Sequence, residues 1–308
     1  MRQMIRAIYW CVAAVLLALL GLGFTGAWLE AGDSFAVIRG PVALVTLGWL
    51  AIGRCARWVG AMPILAVLAA LIPVGWASVR PENTGSSPVT VYQKNMLYKI
   101  DGLDQLEADI RANAPDMLTL QEVTDGNRAL LAALIDMLPY QHYCSGARVG
   151  GVAVASRWPV TPGSKTCAKG LAAMQVDAPD GPLWLASVHL HWPWPYGQRD
   201  QAARIMSDVA ELAGLRVIGG DFNMVPWSYT LREFQRRTGT KRAGRSRPTF
   251  PEFALPIDHV LIPDGLGGAT ELRPLAGSDH RGLLVRFASG QAAARPDAAR
   301  ISRQSSRP

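Results

Sequence analysis

Three apolar runs crowd into the first quarter of this 308-residue chain and limit what it can fold into more than anything that follows. Residues 5–29 hold one charge, Arg6. Residues 35–53 hold one, Arg39, and residues 59–79 hold none. A helix needs about 20 apolar residues to cross the hydrocarbon core of a bilayer, so each run is a candidate transmembrane helix. A cleavable signal peptide is the alternative for the first. Two further spans follow it, however, and no small-x-small cleavage site stands out. Arg2 and Arg6 precede the first run, Arg54 and Arg57 separate the second from the third, and Glu30 and Asp33 lie between the first and second. Basic loops stay in the cytoplasm. That rule predicts a multi-pass inner-membrane protein with everything after residue 80 on the extracytoplasmic side. Arg39 is expected to snorkel to the outer interface, and Trp28, Trp58 and Trp76 fall near span ends, at headgroup level.

The net charge of +7 is carried by the ends of the chain. Residues 1–81 hold six Arg against two acids, the last twenty residues hold four Arg against Asp297, and residues 82–288 hold 21 basic and 21 acidic groups. The central domain is therefore not a globally basic nucleic-acid binder. The organisation expected is a membrane domain at 1–79, a Pro/Gly/Ser linker at 80–88, a folded domain at 89–288, and a tail at 289–308 too poor in large apolar residues to order. Cys144 and Cys167 share the outer domain, where either a disulfide or two buried thiols would fit.

From residue 89, β-rich runs alternate with helical patterns. "VTVYQKNML", "DMLTLQEV", "GGVAVASRWPV", "LAAMQVDAP", "LWLASVHLHW", "LRVIGGDFN", "IDHVLIP" and "HRGLLVRFA" read as strands. "DGLDQLEADIRANAP", with Asp101 or Asp104 as cap and Pro115 as stop, "NRALLAALIDML" and "QRDQAARIMSDVAELAG" read as helices. Many strands with several helices predict an α/β layered domain, two sheets covered by helices.

Polar residues gather at the strand ends: Asn95, Glu122, His189, Asp221 and Asn223, Asp258 with His259, and Asp279 with His280. Four of the five histidines fall in these segments. Any one could be ordinary, such as Asp221-x-Asn223 forming an Asx-turn. Together they are carboxylates, amides and imidazoles at corresponding strand ends, which layered α/β folds collect into one cleft. Gly219 and Gly220 ahead of Asp221 suit a tight turn or a close approach.

"KN" at 94–95, "LQE" at 120–122, "SVHL" at 187–190, "GGDFN" at 219–223, "IDHV" at 257–260 and "SDH" at 278–280 occur in the order seen in the endonuclease/exonuclease/phosphatase superfamily. Over residues 89–288 the chain resembles this deoxyribonuclease I-like group, and the preceding spans resemble its membrane-anchored bacterial branch. The resemblance implies a four-layer α/β/β/α sandwich, two packed mixed sheets flanked by helices, preceded here by three transmembrane helices. It implies a Mg²⁺-dependent or Mn²⁺-dependent hydrolase of phosphate esters. Glu122 would be the principal metal ligand, with Asn95 and Asp279 completing or orienting the metal shell. Asp221 would take a proton from the attacking water, and Asn223 would donate to a phosphate oxygen. His280 would stabilise charge on the phosphoryl oxygens, held by Asp258, and His189 would be a further donor or the acid for the leaving group. Leu97 stands where several relatives carry an acid, which favours a single metal.

Two segments could choose the substrate. "HWPWPYGQR" offers Trp192, Trp194 and Arg199, which could stack on bases or dip into lipid headgroups. "RRTGTKRAGRSR" at 236–247 has six basic residues and no acid, and could follow a nucleic-acid backbone or hold an anionic headgroup. The readings in order are a nuclease, a lipid-headgroup phosphodiesterase or phosphatase, and a non-catalytic membrane-anchored binding protein. A reporter enzyme that works only outside the cytoplasm, fused after residue 288, is expected to be active. An expressed but silent fusion would reverse the orientation.

Overall fold

The computed structural model describes residues 1–85 and 88–288; the tail expected to be disordered lies outside the described residues. Four helices come first: α1 (Arg2–Leu22), α2 (Ala31–Val37), α3 (Arg39–Cys55) and α4 (Ala61–Val79). Two of them, α1 and α4, are each long and apolar enough to cross a membrane. The second apolar run is instead a pair, α2 and α3, bent by 68°. Pro41 explains the break, because it has no N–H to offer the Val37 carbonyl and a continuous helix cannot form across it. Arg39 does not snorkel. It is 3% exposed, donates to the Gly23 carbonyl, and lies 3.9 Å over the Phe24 ring.

The domain then runs β1 (Pro88–Asn95), α5 (Leu103–Asn113), β2 (Met117–Val123), α6 (Ala129–Ala133), β3 (Tyr140–Cys144), β4 (Gly151–Ser156), β5 (Thr166–Ala168), β6 (Leu171–Ala178), β7 (Gly181–His189), α7 (Gln198–Glu211), β8 (Leu215–Asp221), α8 (Tyr229–Thr238), β9 (Thr240–Arg242), β10 (Asp258–Pro263), β11 (Gly268–Leu272) and β12 (Leu283–Ala288). The strands form two six-stranded mixed sheets, ordered β11-β12-β1-β2-β4-β3 and β5-β6-β7-β8-β10-β9. Each sheet has one parallel pair: β1 with β2, connected through α5, and β7 with β8, connected through α7. The other pairings are antiparallel.

Three apolar layers hold these elements together. Val91, Met117 and Val154 of the first sheet pack on Met174, Val217 and Val260 of the second. Leu106 and Ile110 of α5 and Leu130 and Leu131 of α6 cover the outer face of the first sheet on Tyr92, Leu118 and Leu120. Ile205 and Val209 of α7 and Leu231 and Phe234 of α8 cover the second on Ile218 and Leu261. Two sheets flanked by helices match the expected sandwich. Because β1 has a neighbour on each face, its last five residues are all buried instead of alternating.

Local details differ from the sequence reading. Gly102 precedes α5 and no side chain caps it. The run after Asn127 keeps only five helical residues. One helix, α8, and the short strands β3, β5, β9 and β11 were not foreseen.

The N-terminal helices dock on the domain. Ala36, Val37 and Ala77 join the apolar layer around α7 and α8. Asp33, 3% exposed, accepts from Tyr229 N at 2.7 Å, Thr230 N at 3.0 Å and the Thr230 hydroxyl at 2.5 Å. Ser228 Oγ accepts from Leu231 N at 3.2 Å. The first three free N–H groups of α8 are thus satisfied, two of them by a carboxylate placed where the helix dipole favours negative charge. Trp227 donates to the Ala36 carbonyl at 2.7 Å. After α4, Glu82 accepts from Arg245 N and Thr270 N. The end of α1, the start of α3 and the end of α4 therefore all lie on the domain's side.

Cys144 and Cys167 form a disulfide with Cα atoms 5.6 Å apart, joining β3 of one sheet to β5 of the other. His142 lies beside it, but the bridge uses both sulfurs, so these three side chains are not a metal site. Closing a loop of this length contributes about 3 kcal/mol. A Cys144→Ser, Cys167→Ser variant of the full chain in detergent is expected to unfold at lower denaturant, with its midpoint unchanged by reductant. The parent midpoint should fall when reductant is added.

Candidate active site

Strand direction brings the site together. Parallel β1 and β2 end side by side, placing Asn95 and Glu122 at one edge of the first sheet. Parallel β7 and β8 do the same in the second, pairing His189 with Asp221. Antiparallel β10 begins where β8 ends, so Asp258 sits opposite Asp221. Antiparallel β12 begins beside the end of β1 and carries His280 on its approach. Gly219 and Gly220 serve the sheets, and neither is at a turn. A β-carbon on Gly219 would overlap the Thr119 hydroxyl of the facing sheet, and one on Gly220 would overlap the Val188 carbonyl.

A buried polar chain crosses between the sheets beneath the site. Gln93 donates to Gln121 at 2.7 Å and to Asp258 at 3.2 Å, and Gln121 donates to Ser187 at 3.0 Å. Above it, the Asn95 amide nitrogen donates to Glu122 at 3.1 Å and to Asp221 at 3.0 Å, so one NH₂ ties together carboxylates from two sheets. The Asn95 side-chain oxygen accepts from Leu97 N at 2.9 Å. In this orientation Asn95 offers hydrogen atoms to the centre of the site, not the oxygen a metal ligand would supply. Glu122 stands at a β-bulge with φ 59°, and its other oxygen accepts from Tyr98 N at 2.8 Å. Bulges re-aim side chains in this way.

His280 Nδ1 lies 2.7 Å from Asp258, and its Nε2 lies 3.8 Å from Asp221. His189 Nε2 approaches Asp221 from the other side at 3.7 Å. The Asn223 backbone N–H donates to Asp221 at 2.9 Å while its amide donates to the Leu190 carbonyl at 2.8 Å, an Asx-type turn with φ 48°. Ser278 Oγ donates to the Asn95 carbonyl and accepts from His280 N, which fixes the "SDH" loop on the end of β1. Lys94 reinforces this from below, donating to the carbonyls of Leu275 and His280. Asp279 is exposed beside the cluster. His259 is buried and bonded to the Met224 carbonyl at 2.7 Å, a structural histidine. Arg199 is engaged elsewhere: it donates to the Gly26 carbonyl of the α1–α2 connection and lies over the Tyr229 ring. The substrate contact expected of it gives way to docking of the N-terminal helices.

The charges follow from burial and pairing. Burial opposes charge on His280, but Asp258 and Asp221 outweigh it and raise its pKa to about 10. Burial and the Asp258 charge push Asp221 up to about 7, and burial raises Glu122. Burial lowers His189 to about 4, which keeps it neutral. Among the described residues no Lys or Arg lies within ion-pair distance of Glu122 or Asp221. Glu122, half-buried and without a cationic partner, and the neighbouring Asp221 offer hard carboxylate oxygens, a donor set that suits a divalent cation such as Mg²⁺. Asp221, Asp258 and His280 are also close enough to share an ion. The direct Asp258–His280 bond, however, makes them an oriented imidazole pair.

Reading the strand ends found this cluster and missed its supports. Gln93, Lys94 and Ser278 lie within or beside the quoted blocks but carry no distinctive spacing. Phe250, whose ring centroid is 5.1 Å from that of His280, comes from "TFPEF", where two aromatics flanking a proline were the available signal.

Two packed mixed sheets flanked by helices, with carboxylates and an Asp–His pair gathered at one edge, define the class: an α/β sandwich with a polar cleft at its strand ends. The chain belongs to the Endonuclease/Exonuclease/phosphatase family, whose profile matches residues 95–280. No curated protein matches it in sequence. Truncated Caenorhabditis elegans TDP2 superposes with a TM-score of 0.51 at 20% identity, over 65% of this chain and 97% of that one. The human Nocturnin catalytic domain with bound sulfate gives 0.51 at 18%, over 65% and 94%. A Staphylococcus aureus beta toxin mutant with bound magnesium ions gives 0.51 at 13%, over 66% and 100%. At these identities the likeness establishes the fold.

The raised His280 pKa has a defined sign. The imidazolium should persist as pH climbs toward about 10, and the stability it contributes is fully present below about 6.5 and fades between those values. In histidine NMR spectra of the full chain with divalent ions chelated, His280 is expected to be charged at pH 8. In Asp258→Asn it should titrate below about 7.

Proposed function

We propose that this protein is a membrane-attached, divalent-metal-dependent phosphoesterase that hydrolyses its substrate with activated water. One observation carries the reading: a single amide, Asn95, joins Glu122 and Asp221 across two sheets, with the charged His280 3.8 Å from Asp221. Glu122 would hold the cation, Mg²⁺ or Mn²⁺, with exposed Asp279 at its margin and Asn95 positioning the carboxylate instead of ligating. Bound there, the ion would polarise phosphoryl oxygens and offset their charge. Leu97, where an acid would add a second ligand, supports one metal.

Asp221 accepts the proton of the attacking water, and its raised pKa suits a base working near neutral pH. His280, oriented by Asp258, stabilises the negative charge that grows on the phosphoryl oxygens. Neutral His189 donates to the phosphate or to the leaving oxygen. Asn223 donates to the Leu190 carbonyl at 2.8 Å and, at 3.5 Å, to Asp221, and would turn the second of these amide hydrogens to a phosphate oxygen when substrate binds. A non-catalytic role is disfavoured because every member of the set is present and oriented. Placement of the domain outside the cytoplasm is supported by the charge pattern of the N-terminal loops and by the disulfide, which persists in oxidising compartments.

Full-length protein in detergent with Mg²⁺ is expected to hydrolyse bis(p-nitrophenyl) phosphate and to stop on chelation. Glu122→Gln and His280→Ala should each slow turnover about 10²-fold or more while the circular dichroism spectrum stays unchanged. Full activity in either variant would refute its assignment.

A further inference from the structure

We propose that the substrate of this site is an amphiphile resident in the membrane, its phosphate headgroup entering the cleft while its chains stay in the bilayer. The inference rests on the phosphoesterase reading and on α1 and α4 crossing the membrane.

Aromatic side chains border the mouth of the site. Trp192, Trp194, Tyr196 and Phe253 are 39%, 55%, 65% and 64% exposed. Phe250 connects two of them, Trp192 and Phe253, to the chemistry, with its ring centroid 5.1 Å from His280, 6.3 Å from Trp192 and 6.0 Å from Phe253. Exposed apolar groups gathered in one place mark an interaction surface. Their position selects the partner. Ser34, in the connection between α1 and α3, donates to the Trp194 carbonyl at 2.8 Å. The rim is thus fastened to the turn that joins the outer ends of two apolar helices. That turn also exposes Trp28 at 80% and Leu29 at 50%, and indoles at such a level sit among lipid headgroups. Rim and turn form one aromatic border at the height of the membrane surface, a monotopic contact added to an integral anchor.

A nucleic-acid strand would also stack on exposed aromatics, but it needs a basic track for its phosphates. The basic stretch at 236–247 is largely tied up, although Lys241 has no ion pair among the described residues. Arg236 and Arg237 both pair with Glu233 at 2.7 Å. Arg245 and Arg247 lie 3.6 and 3.5 Å from Glu82, and Arg242 is 6% exposed. Residues 82–288 also balance 21 basic against 21 acidic groups. On this proposal lipid comes before nucleic acid, the opposite of the order taken from sequence alone.

The test compares three substrates with one full-length preparation reconstituted in vesicles. These are the vesicle lipids themselves (phosphatidylcholine, phosphatidylethanolamine, phosphatidylglycerol, phosphatidylinositol and sphingomyelin), bis(p-nitrophenyl) phosphate, and single-stranded and duplex oligonucleotides. Release of a lipid headgroup is expected, abolished by Glu122→Gln. Phe253→Ala should lower the ratio of lipid turnover to soluble-diester turnover about tenfold. Soluble-diester turnover without headgroup release, or faster cleavage of oligonucleotide than of lipid, would overturn the membrane substrate and leave the phosphoesterase standing. Loss of all three activities would overturn both. A polarity-sensitive dye on Phe253→Cys, with Cys11 and Cys55 changed to Ser, gives a reading independent of substrate. Quenching by brominated lipid is expected, and a dye that stays fully aqueous contradicts the proposal.

Discussion

The candidate site depends on how closely two sheets meet at Gly219. Thr119 of the facing sheet occupies the space a β-carbon would need, so the backbones come within reach of each other just below the polar edge. That closeness lets short side chains span the gap, Gln93 to Asp258 and Asn95 to Asp221. A wider interface would leave Glu122 and Asp221 too far apart for one amide to bridge, each with its own solvent. The buried chain from Gln93 to Ser187 then fixes the register, because every member has a partner on the opposite sheet or the adjacent strand.

Electrostatics follow from that architecture. Two buried acids, Asp221 and Asp258, stand on adjacent strands, and His280 lies between them. Its charge is what makes their proximity tolerable. Glu122 sits to one side without such a partner, and the bulge that aims it is stabilised by Asn127, which donates to the Glu122 carbonyl at 2.9 Å. The result is an asymmetric site, with compensated charge on the imidazole side and uncompensated charge on the carboxylate side. A phosphate ester and a divalent cation would divide themselves along that axis.

Much of this was legible in the sequence, for physical reasons. Strand ends marked by Asn95, Glu122, His189 and Asp221 could be read because an apolar run that stops at a polar residue shows where a buried strand meets a cleft. The Asp258–His280 pair was legible only through the family resemblance of the blocks that carry it. What stayed hidden depends on tertiary contact. The role of Gly219 needs the facing Thr119, and the orientation of Asn95 needs both carboxylates. Arg39 and Arg199 were misplaced because a long basic side chain does not announce which carbonyl it will find. Helix α8 was overlooked because it is short and Arg-rich, with only Leu231 and Phe234 marking its apolar face, and its first turn is completed by a residue far away in the chain. Cys144 and Cys167 were undecided because sequence does not measure the distance between two strands.

Asp33 gives that distance a consequence for biogenesis. The carboxylate that completes the first turn of α8 lies 196 residues ahead of Tyr229, so it is synthesised long before the segment it stabilises. The N-terminal helices emerge first and present their connecting turn as a ready-made seat. Completion of α8 is thereby coupled to the N-terminal helices: a chain cut loose from them would leave Trp227 and the start of α8 without partners.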